Sequence, residues 1–266
     1  MNAKIQNLDG KIVGSVNLPS IFSTSFRPDL IHRVYLALAT HDLQLQGRDI
    51  MAGQKTSAES WGTGRGASRV ARVKGGGRRG GQAAGVAMVV GGRTTHPPRS
   101  EKKIRKEVNR KERRLALASA IAATTEKQIV SLRGHKIPDE MNLPIIVNDD
   151  IQKINKTSDL LEFFLSVNLG DDIERVNRSR KTRSGTSRMR GRTVRTGKGP
   201  LIVVSEDMGV GKAASNLLGI ECVLAKNLTV TDLAPGSQAG RLVVWSKSAI
   251  GNLPKPLLEV SNLIVT

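Results

Sequence analysis

The chain has 266 residues, 38% of them hydrophobic, and carries a formal net charge of +19. This length and hydrophobic content are enough for a folded core in one large domain or two. The single cysteine, Cys222, excludes an internal disulfide framework and a zinc site built from cysteines. Because Cys222 lies in an apolar run at residues 220–225, we expect a buried, unreactive thiol.

The sequence contains no apolar run of the roughly eighteen residues that a membrane-spanning helix needs. Its first residues also lack the charged-then-apolar pattern of a signal peptide. We therefore expect a cytosolic protein that does not contact a membrane.

The N-terminal residues are predicted to form a β-hairpin. Residues 4–16 contain two short stretches of strand character on either side of Asp9-Gly10, a dipeptide that favours a tight turn. The alternation predicts that Ile5, Ile12 and Val16 face inward.

A helix is predicted to begin near Pro28, because proline is tolerated in a first turn and Asp29 suits the positive end of the helix dipole. Its predicted apolar stripe comprises Leu30 or Ile31, Val34 or Tyr35, and Leu38. His32 and His41 lie on or beside this helix without an acid or thiol at a useful spacing, so we expect packing or surface roles for both.

Residues 51–100, the first basic arm, have almost nothing to bury. They contain nine Lys or Arg, one acid (Glu59), twelve of the chain's 27 glycines and one aromatic residue, Trp61. Glycine loosens the backbone and like charges repel, so we expect disorder in isolation and order only on a partner. At about 3.3 Å per extended residue, a doubled-back segment of this length reaches on the order of 80 Å.

A long helix is predicted over residues 101–124. Pro97-Pro98 block a helix before it, and Ser100 is suited to cap it beside Glu101. Residues 102–114 carry eight basic side chains against two acids, whereas residues 115–123 are apolar and rich in alanine. We expect the first end to meet a polyanion and the second to pack in the core, which makes the first basic arm an insertion between two helices.

The second half of the chain has the rhythm of an α/β domain. Apolar runs rich in β-branched residues alternate with helix-like stretches, which is typical of a parallel sheet covered on both faces. The predicted strands are residues 143–148, 201–205, 220–225 and 242–245. The predicted helices are residues 158–169, 211–218 and 230–233. The predicted fold is one α/β domain over residues 1–266, with a central, mainly parallel sheet of about four strands flanked by helices and with the basic segments inserted.

Residues 175–198, the second basic arm, precede the strand at 201–205. They hold ten Lys or Arg and no acid; the first basic arm has a net charge of +8, which leaves only +1 on the rest of the chain. A nearly neutral globule with two strongly basic segments favours a polyanion such as a nucleic acid as partner. Each phosphate that a basic side chain neutralises releases counterions condensed on the polyanion, which favours binding.

The motifs that suggest an enzyme are incomplete. Residues 208–212, MGVGK, resemble the end of a phosphate-binding loop, but Glu206 stands where its first glycine is needed and Ala213 replaces its Ser or Thr. The pairs Asp149-Asp150 and Asp171-Asp172 are predicted to be solvated loop or helix-cap acids. We predict no catalytic residue, no metal and no cofactor; the chemistry of the chain is recognition.

The composition of the arms favours RNA. Arginine outnumbers lysine in both, and its planar guanidinium both forks onto phosphates and stacks on bases. A flexible, glycine-rich segment offers no preformed helix to the DNA major groove but suits threading between helices of a folded RNA. Two alternatives stay open: an RNA-acting enzyme with a site at the C-terminal edge of the sheet, and a DNA-compacting protein. From charge, the residues predicted to bind RNA are Arg48, Lys55, Lys102, Lys103, Arg105, Lys106, Arg178, Arg180, Lys181, Arg183, Arg188, Arg190, Arg192, Arg195 and Lys198.

One long motif is specific to a family. Residues 57–98, SAESWGTGRGASRVARVKGGGRRGGQAAGVAMVVGGRTTHPP, followed by a basic helix, closely resemble the family of the fourth large-subunit ribosomal protein in its archaeal and eukaryotic form. The resemblance covers nearly the whole chain, including residues 201–223, LIVVSEDMGVGKAASNLLGIECV, and residues 228–252.

The resemblance implies a structural constituent of the large subunit of cytoplasmic ribosomes, which binds 23S-type rRNA early in assembly. It implies a globular domain on the outer surface of the subunit and a loop threaded to the wall of the nascent-peptide exit tunnel, beside protein twenty-two of the same subunit. The tunnel-facing tip would then lie within residues 68–81, with these cations nearest: Arg69, Arg72, Lys74, Arg78 and Arg79. The stem would be held against RNA by Trp61, Arg65, Arg93, His96 and Arg99.

Overall fold

The structure, a computed structural model, describes residues 2–254 of the chain. The chain divides into two units: a smaller one, residues 40–106, and a larger one formed by the described residues on either side of it. In chain order the strands are β1 (Asn2–Gln6), β2 (Ile12–Asn17), β3 (Ala58–Glu59), β4 (Arg72–Val73), β5 (Ile145–Val147), β6 (Lys181–Thr182), β7 (Val194–Arg195), β8 (Leu201–Val204), β9 (Glu221–Leu224) and β10 (Val243–Ser246). The α-helices are α1 (Pro28–Ala39), α2 (Arg110–Ala123), α3 (Lys127–Leu132), α4 (Thr157–Ser166), α5 (Gly170–Arg178), α6 (Gly185–Met189), α7 (Val210–Ser215), α8 (Val230–Leu233) and α9 (Lys247–Gly251).

A six-stranded sheet forms the centre of the larger unit, with the strand order β2-β1-β5-β10-β8-β9. Every neighbouring pair is parallel except β1 and β2, which form an antiparallel hairpin. Along β8, Leu201 and Val203 belong to one buried cluster, whereas Ile202 and Val204 belong to the other. Helices α1, α2, α8 and α9 contribute to the first cluster and α3, α4, α5 and α7 to the second. The sheet is therefore buried on both faces, and the predicted α/β class is confirmed.

The sheet is wider than predicted. The four predicted strands are present as β5, β8, β9 and β10, but the N-terminal hairpin joins them, because Ile5 of β1 pairs with Ile146 of β5. Ile5 is buried as predicted, whereas Ile12 is 59% exposed, so the prediction for Ile12 is wrong. The register shifts between Ile5 and Gln6, which breaks the simple alternation along β2, and β2 lies at the end of the sheet with β1 as its single neighbour there.

The prediction for the first helix is confirmed. It begins at Pro28, and its buried residues, Ile31, Val34 and Ala37, follow the spacing of one helical face. His32 and His41 are exposed, which agrees with the surface role expected for them.

The second helix is shorter than predicted, and the prediction of Ser100 as its cap is wrong. Helix α2 begins at Arg110, and Asn109 before it has extended backbone angles, φ −58° and ψ 141°. Basic residues crowd residues 102–106, where they repel one another and would oppose the positive end of a helix dipole. Helix therefore forms where the alanine-rich, buried half of the segment, residues 116–123, packs into the core.

Four of the helices described here, α3, α5, α6 and α9, were not predicted, and α5 overlaps the start of the second basic arm. Arg175 and Arg178 belong to α5, and the segment that follows forms the antiparallel pair β6–β7 with α6 at its turn. The arm thus emerges from a helix of the larger unit and returns directly into β8.

We expect the larger unit to keep its cooperative unfolding when residues 65–85 are replaced by a short Gly/Ser linker. Ala84 is the one buried hydrophobic residue among them. The melting temperature measured by calorimetry should change by less than about 3 °C. As a control, Trp245→Ala removes a side chain that is fully buried against Phe22 and should cost about 3–5 kcal/mol. Loss of the transition in the linker variant would show that the loop supports the core.

Candidate nucleic-acid interface

The smaller unit, residues 40–106, contains a local hairpin. Strands β3 and β4 are antiparallel, and backbone hydrogen bonds continue the hairpin from Val73 N to Gln82 O (2.9 Å) and from Ala84 N to Ala71 O (2.9 Å). The sequence predicted a segment without structure of its own; backbone hydrogen bonds and polar contacts, rather than buried apolar area, give it this local order.

Arg72 is the centre of this hairpin. Its Cζ lies 5.2 Å from the centroid of the Trp61 ring, a cation–π geometry. Its Nη1 donates to Gly81 O (2.9 Å) and its Nη2 donates to Ser68 Oγ (3.0 Å). Gly81 has φ +71°, and a Cβ there would lie 3.2 Å from the Trp61 ring, so glycine permits the close approach. The guanidinium predicted for the tunnel-facing tip is thus engaged within the loop.

The other cations of the predicted tip differ in whether their side chains are paired within the chain or exposed to solvent. Lys74 forms an ion pair with Glu59, and its hydrogen bond holds the pKa of Glu59 below the ordinary value of 4.5. The side chains of Arg69, Arg78 and Arg79 are exposed. These three arginines are therefore the members of the tip best placed to meet an external anion.

The stem of the loop presents further cations. Arg48 donates from Nη1 to Ala52 O (2.8 Å), and Lys55 forms an ion pair with Asp49 at 2.6 Å. Trp61 is 43% exposed beside Arg72. The remaining predicted RNA-binding residues of the stem are exposed or, for Arg93, half-buried: Arg65, Arg93, His96, Arg99, Lys102, Lys103, Arg105 and Lys106.

The second basic arm presents its cations on the hairpin β6–β7. Lys181 pairs with Arg195 and Thr182 with Val194 in the antiparallel register. Arg183 is half-buried, and its backbone N donates to Thr193 O (2.8 Å). The exposed cations of this hairpin are Arg180, Lys181, Arg188, Arg190, Arg192 and Arg195. At the two ends, Arg178 forms an ion pair with Glu174, and Lys198 forms one with Glu221.

Helix α2 carries exposed cations that were not among the predicted RNA-binding residues. Arg110, Lys111 and Arg113 are exposed on its first turns, and Glu112 there is paired with Arg33 at 3.2 Å. The signal was available, since the charge count over residues 102–114 already indicated that this end meets a polyanion.

A buried polar cluster joins His135 to Asp172 and Arg175. His135 Nδ1 donates to Asp172 Oδ2 (3.0 Å), Lys136 N donates to Asp172 Oδ1 (3.0 Å), and Arg175 Nε donates to Asp172 Oδ1 (2.8 Å). Asp172 lies in the first turn of α5 but is fully buried, so the prediction of a solvated acid is wrong for it. Sequence could not show this cluster, because its His and Asp are 37 residues apart.

Burial and hydrogen bonding set the pKa values in this cluster. Burial lowers the pKa of His135 below its ordinary 6.5, although Asp172 opposes the shift. Burial by itself would raise the pKa of Asp172, but hydrogen bonds from His135 and Arg175 hold it below the ordinary 3.8. The cluster therefore contains an ionised carboxylate beside a neutral imidazole at neutral pH.

The segment that resembles a phosphate-binding loop uses two of its backbone N–H groups within the chain. Asp207 Oδ1 accepts hydrogen bonds from Gly209 N (2.9 Å) and Gly211 N (3.0 Å), so a carboxylate of the chain already holds the N–H groups that a phosphate would need. Cys222, on β9, is half-buried rather than fully buried as expected, but burial still raises its pKa to about 12, which agrees with an unreactive thiol.

The C-terminal edge of the parallel strands is filled by its own side chains. Asp149 Oδ1 accepts from Ser248 N (2.8 Å) and Ser248 Oγ (2.6 Å), and Gln152 Nε2 donates to Ser248 Oγ (2.7 Å) and Ser246 Oγ (3.2 Å). In α/β enzymes this edge holds the ligand. Here these polar groups satisfy one another, which argues against the enzyme alternative.

Neither a metal site nor a membrane span emerges from residues 2–254. Within that range no group of three or more His, Cys, Asp or Glu is arranged to hold a metal ion. None of the helices described there is long and apolar enough to cross a bilayer.

Comparison with known proteins decides the family. A model of the ribosomal protein L4/L1 family matches residues 16–255, which include both basic arms and strands β3 to β10. The chain belongs to the ribosomal protein L4/L1 family. This confirms the resemblance stated from the sequence.

Similar proteins share nearly the full length of this L4/L1-family chain. It is 45% identical over 257 residues to the large ribosomal subunit protein uL4 of Methanothrix thermoacetophila, which covers 97% of this chain and 100% of that protein. It is 42% identical over 249 residues to the protein of the same name from Methanosphaera stadtmanae, covering 94% of this chain and 95% of that one. The uL4 protein of Methanococcus aeolicus is 42% identical over 257 residues, 96% of this chain and 99% of that one.

The buried cluster of the L4/L1-family chain predicts acid sensitivity. The folded-state pKa of His135 lies below 6.5, so as the pH falls through 6.5 the unfolded chain takes up a proton first and the free energy of unfolding decreases. Asp172 acts in the same direction at lower pH, since its contribution is present above 3.8 and is lost as the pH falls through its folded-state value. We expect His135→Asn to flatten the decrease that begins as the pH falls below about 6.5, measured by urea unfolding. The exposed His32→Asn is the control; identical slopes in both variants would contradict the assignment.

We expect removal of the Trp61 ring to destabilise the hairpin of the smaller unit locally. An exposed cation–π contact contributes about 0.5–1 kcal/mol, so Trp61→Ala should speed hydrogen exchange at the amides of Val73 and Ala84 by about two- to fivefold. Trp61→Phe, which keeps an aromatic face for Arg72, should have a smaller effect. Unchanged exchange in Trp61→Ala would mean that the backbone bonds hold the hairpin unaided.

Proposed function

We propose that this chain is a structural constituent of the large subunit of cytoplasmic ribosomes and that its two basic arms bind large-subunit rRNA. The observation that carries the proposal is the separation of charge. Nineteen of the chain's 42 basic residues lie in the two arms with a single acid, while the rest of the chain has a net charge of only +1. Membership of the L4/L1 family and the name of its relatives, large ribosomal subunit protein uL4, support the same assignment.

The geometry of the arms supports RNA contact through the backbone phosphates. Exposed arginines and lysines are carried on narrow hairpins, which can enter grooves between RNA helices where a globular surface cannot. Phosphate contacts of this kind fix position and orientation, and they neutralise charge that keeps RNA segments apart. The proposed role is therefore architectural and begins early in subunit assembly.

The finer proposal concerns the end of the first basic arm. We propose that it reaches the wall of the nascent-peptide exit tunnel beside protein twenty-two of the large subunit and there meets the nascent peptide. Arg69, Arg78 and Arg79 are exposed, whereas Arg72 is engaged with Trp61, Ser68 and Gly81. Within this proposal the three exposed arginines make the external contacts and Arg72 holds their scaffold.

Salt dependence tests the RNA-binding proposal. With ten or more phosphate contacts, affinity for a 23S-type rRNA fragment should fall by several decades between about 50 and 200 mM salt. Replacing Arg188, Arg190 and Arg192 by Gln should reduce the slope of log K against log[salt] by about 2–3, at about 0.7–0.9 per lost contact. The matched control replaces Lys4, Lys136 and Lys247, exposed cations outside both arms, by Gln and should leave the slope nearly unchanged.

Two results would overturn the proposal. One is an affinity that hardly changes over this salt range. The other is a preference for duplex DNA over folded rRNA in direct competition, which would favour the DNA-compacting alternative.

A further inference from the structure

Both ends of the second basic arm are fastened to the larger unit by one set of polar contacts. On the outgoing side, Arg175 Nη2 donates to Lys198 O (2.9 Å), and Ser179 Oγ accepts from Gly197 N (2.8 Å). These two bonds join the end of α5 to the residues that return from the hairpin. They close the base of the arm into a loop with a defined exit and a defined entry.

The guanidinium of Arg175 is fixed by the buried carboxylate of Asp172. Its Nε and Nη2 donate to the two oxygens of Asp172 at 2.8 and 3.2 Å, a forked geometry. Asp172 is fully buried and is fixed by His135 and by the backbone N of Lys136. Arg175 Nη2 also lies 3.4 Å from His135 Nδ1, so the guanidinium is fixed by Asp172 and His135 while its hydrogen bond to Lys198 O goes to the base of the arm.

The returning strand is fixed by a second buried charge. Arg241 is fully buried; its Nε donates to Gly199 O (2.9 Å) and its Nη1 to Glu221 Oε2 (2.6 Å). Gly199 N donates to Gly219 O (2.8 Å), and a Cβ on Gly219 would lie 2.4 Å from Gly197 O. The backbone therefore passes so closely here that the position of the returning strand is tightly defined.

We propose that Arg175, held by Asp172 and His135, is a positioning residue for RNA binding by the second basic arm. It does not contact RNA; it fixes where the cations of the β6–β7 hairpin stand before RNA arrives. A hairpin that is already ordered loses less conformational entropy on binding, so affinity rises without an added contact. The inference rests on the proposed function for the identity of the partner, and on the contacts above for the fastening.

The test compares Arg175→Gln with Arg178→Gln in the full-length chain. Arg178 is an exposed cation on the same helix, so both variants remove one charge, but only Arg175 holds the base of the arm. We expect Arg175→Gln to lower affinity for a 23S-type rRNA fragment by about tenfold or more and Arg178→Gln by only a few-fold. Arg175→Lys, which keeps the charge but not the fork, should recover only part of the loss.

A second background separates positioning from a direct contact. With residues 181–195 replaced by a Gly/Ser linker, Arg175→Gln should cause no further loss of affinity, because there are no hairpin cations left to position. Hydrogen exchange in the free protein gives a readout without RNA: amides of residues 181–195 should exchange about tenfold faster in Arg175→Gln. Ser179→Ala, which leaves the buried ion pair intact, should show the same change more weakly if Arg175→Gln proves poorly folded.

The outcomes are distinguishable. Equal losses from Arg175→Gln and Arg178→Gln, an undiminished effect of Arg175→Gln without the hairpin, or unchanged hydrogen exchange would overturn the positioning role. If the hairpin replacement alone leaves rRNA affinity unchanged, the proposed function of this arm fails, while hydrogen exchange still decides whether Arg175 fastens it.

Discussion

Repulsion among basic side chains is the constraint on which the rest of this structure depends. The chain has 42 Lys and Arg against 23 acids, and a compact body with that imbalance would be destabilised by its own field. The excess is placed instead in two segments that add little to the core. The sheet can therefore be buried on both faces, with fully buried strands such as β8, because the charges that would need solvent lie elsewhere in the sequence.

Local patterns predicted what local forces decide. The apolar, β-branched run at residues 201–204 correctly predicted strand β8, which is buried on both faces. Pro28 and Asp29 correctly predicted the start of α1. The start of α2 was misplaced because packing of its alanine-rich half, and not a cap, determines where the helix begins. The burial of Asp172 could not be predicted from local sequence, because it depends on His135, which lies 37 residues away in the chain. In the candidate interface, the sequence shows where the cations are but not which of them are engaged within the chain. The structure shows that Arg72 and Arg175 donate hydrogen bonds to the backbone of their own arms, whereas Arg78 and Arg190 are exposed.

The fold has the architecture of many enzymes, yet its usual ligand edge is used for packing. Hydrogen bonds there link Ser248 to Asp149 and to Gln152. In the loop before α7, two backbone N–H groups donate to Asp207. Under the proposed function the insertions, not the sheet edge, bind the ligand, which agrees with the rule that a fold alone does not specify an activity. The buried charges follow the same division: Asp172 and Arg241 lie beside the base of the second basic arm. Buried ion pairs contribute little net stability, so their value here is better sought in the geometry they impose.

The two arms obtain their order from different sources, and this difference has a thermodynamic consequence. The hairpin of the first basic arm is held by contacts within its own unit, among them Trp61 with Arg72. The second is held by Asp172 and Arg241, which are in place only when the larger unit is folded. RNA that binds an ordered second arm therefore binds the folded state in preference to the unfolded one, and such a ligand adds RT ln(1 + [L]/Kd) to stability. Contacts through the first arm are coupled to that folding equilibrium much more weakly, because its scaffold is local. If the second arm binds rRNA as proposed, rRNA bound there stabilises the folded larger unit, whereas rRNA bound to the first arm alone does so much less.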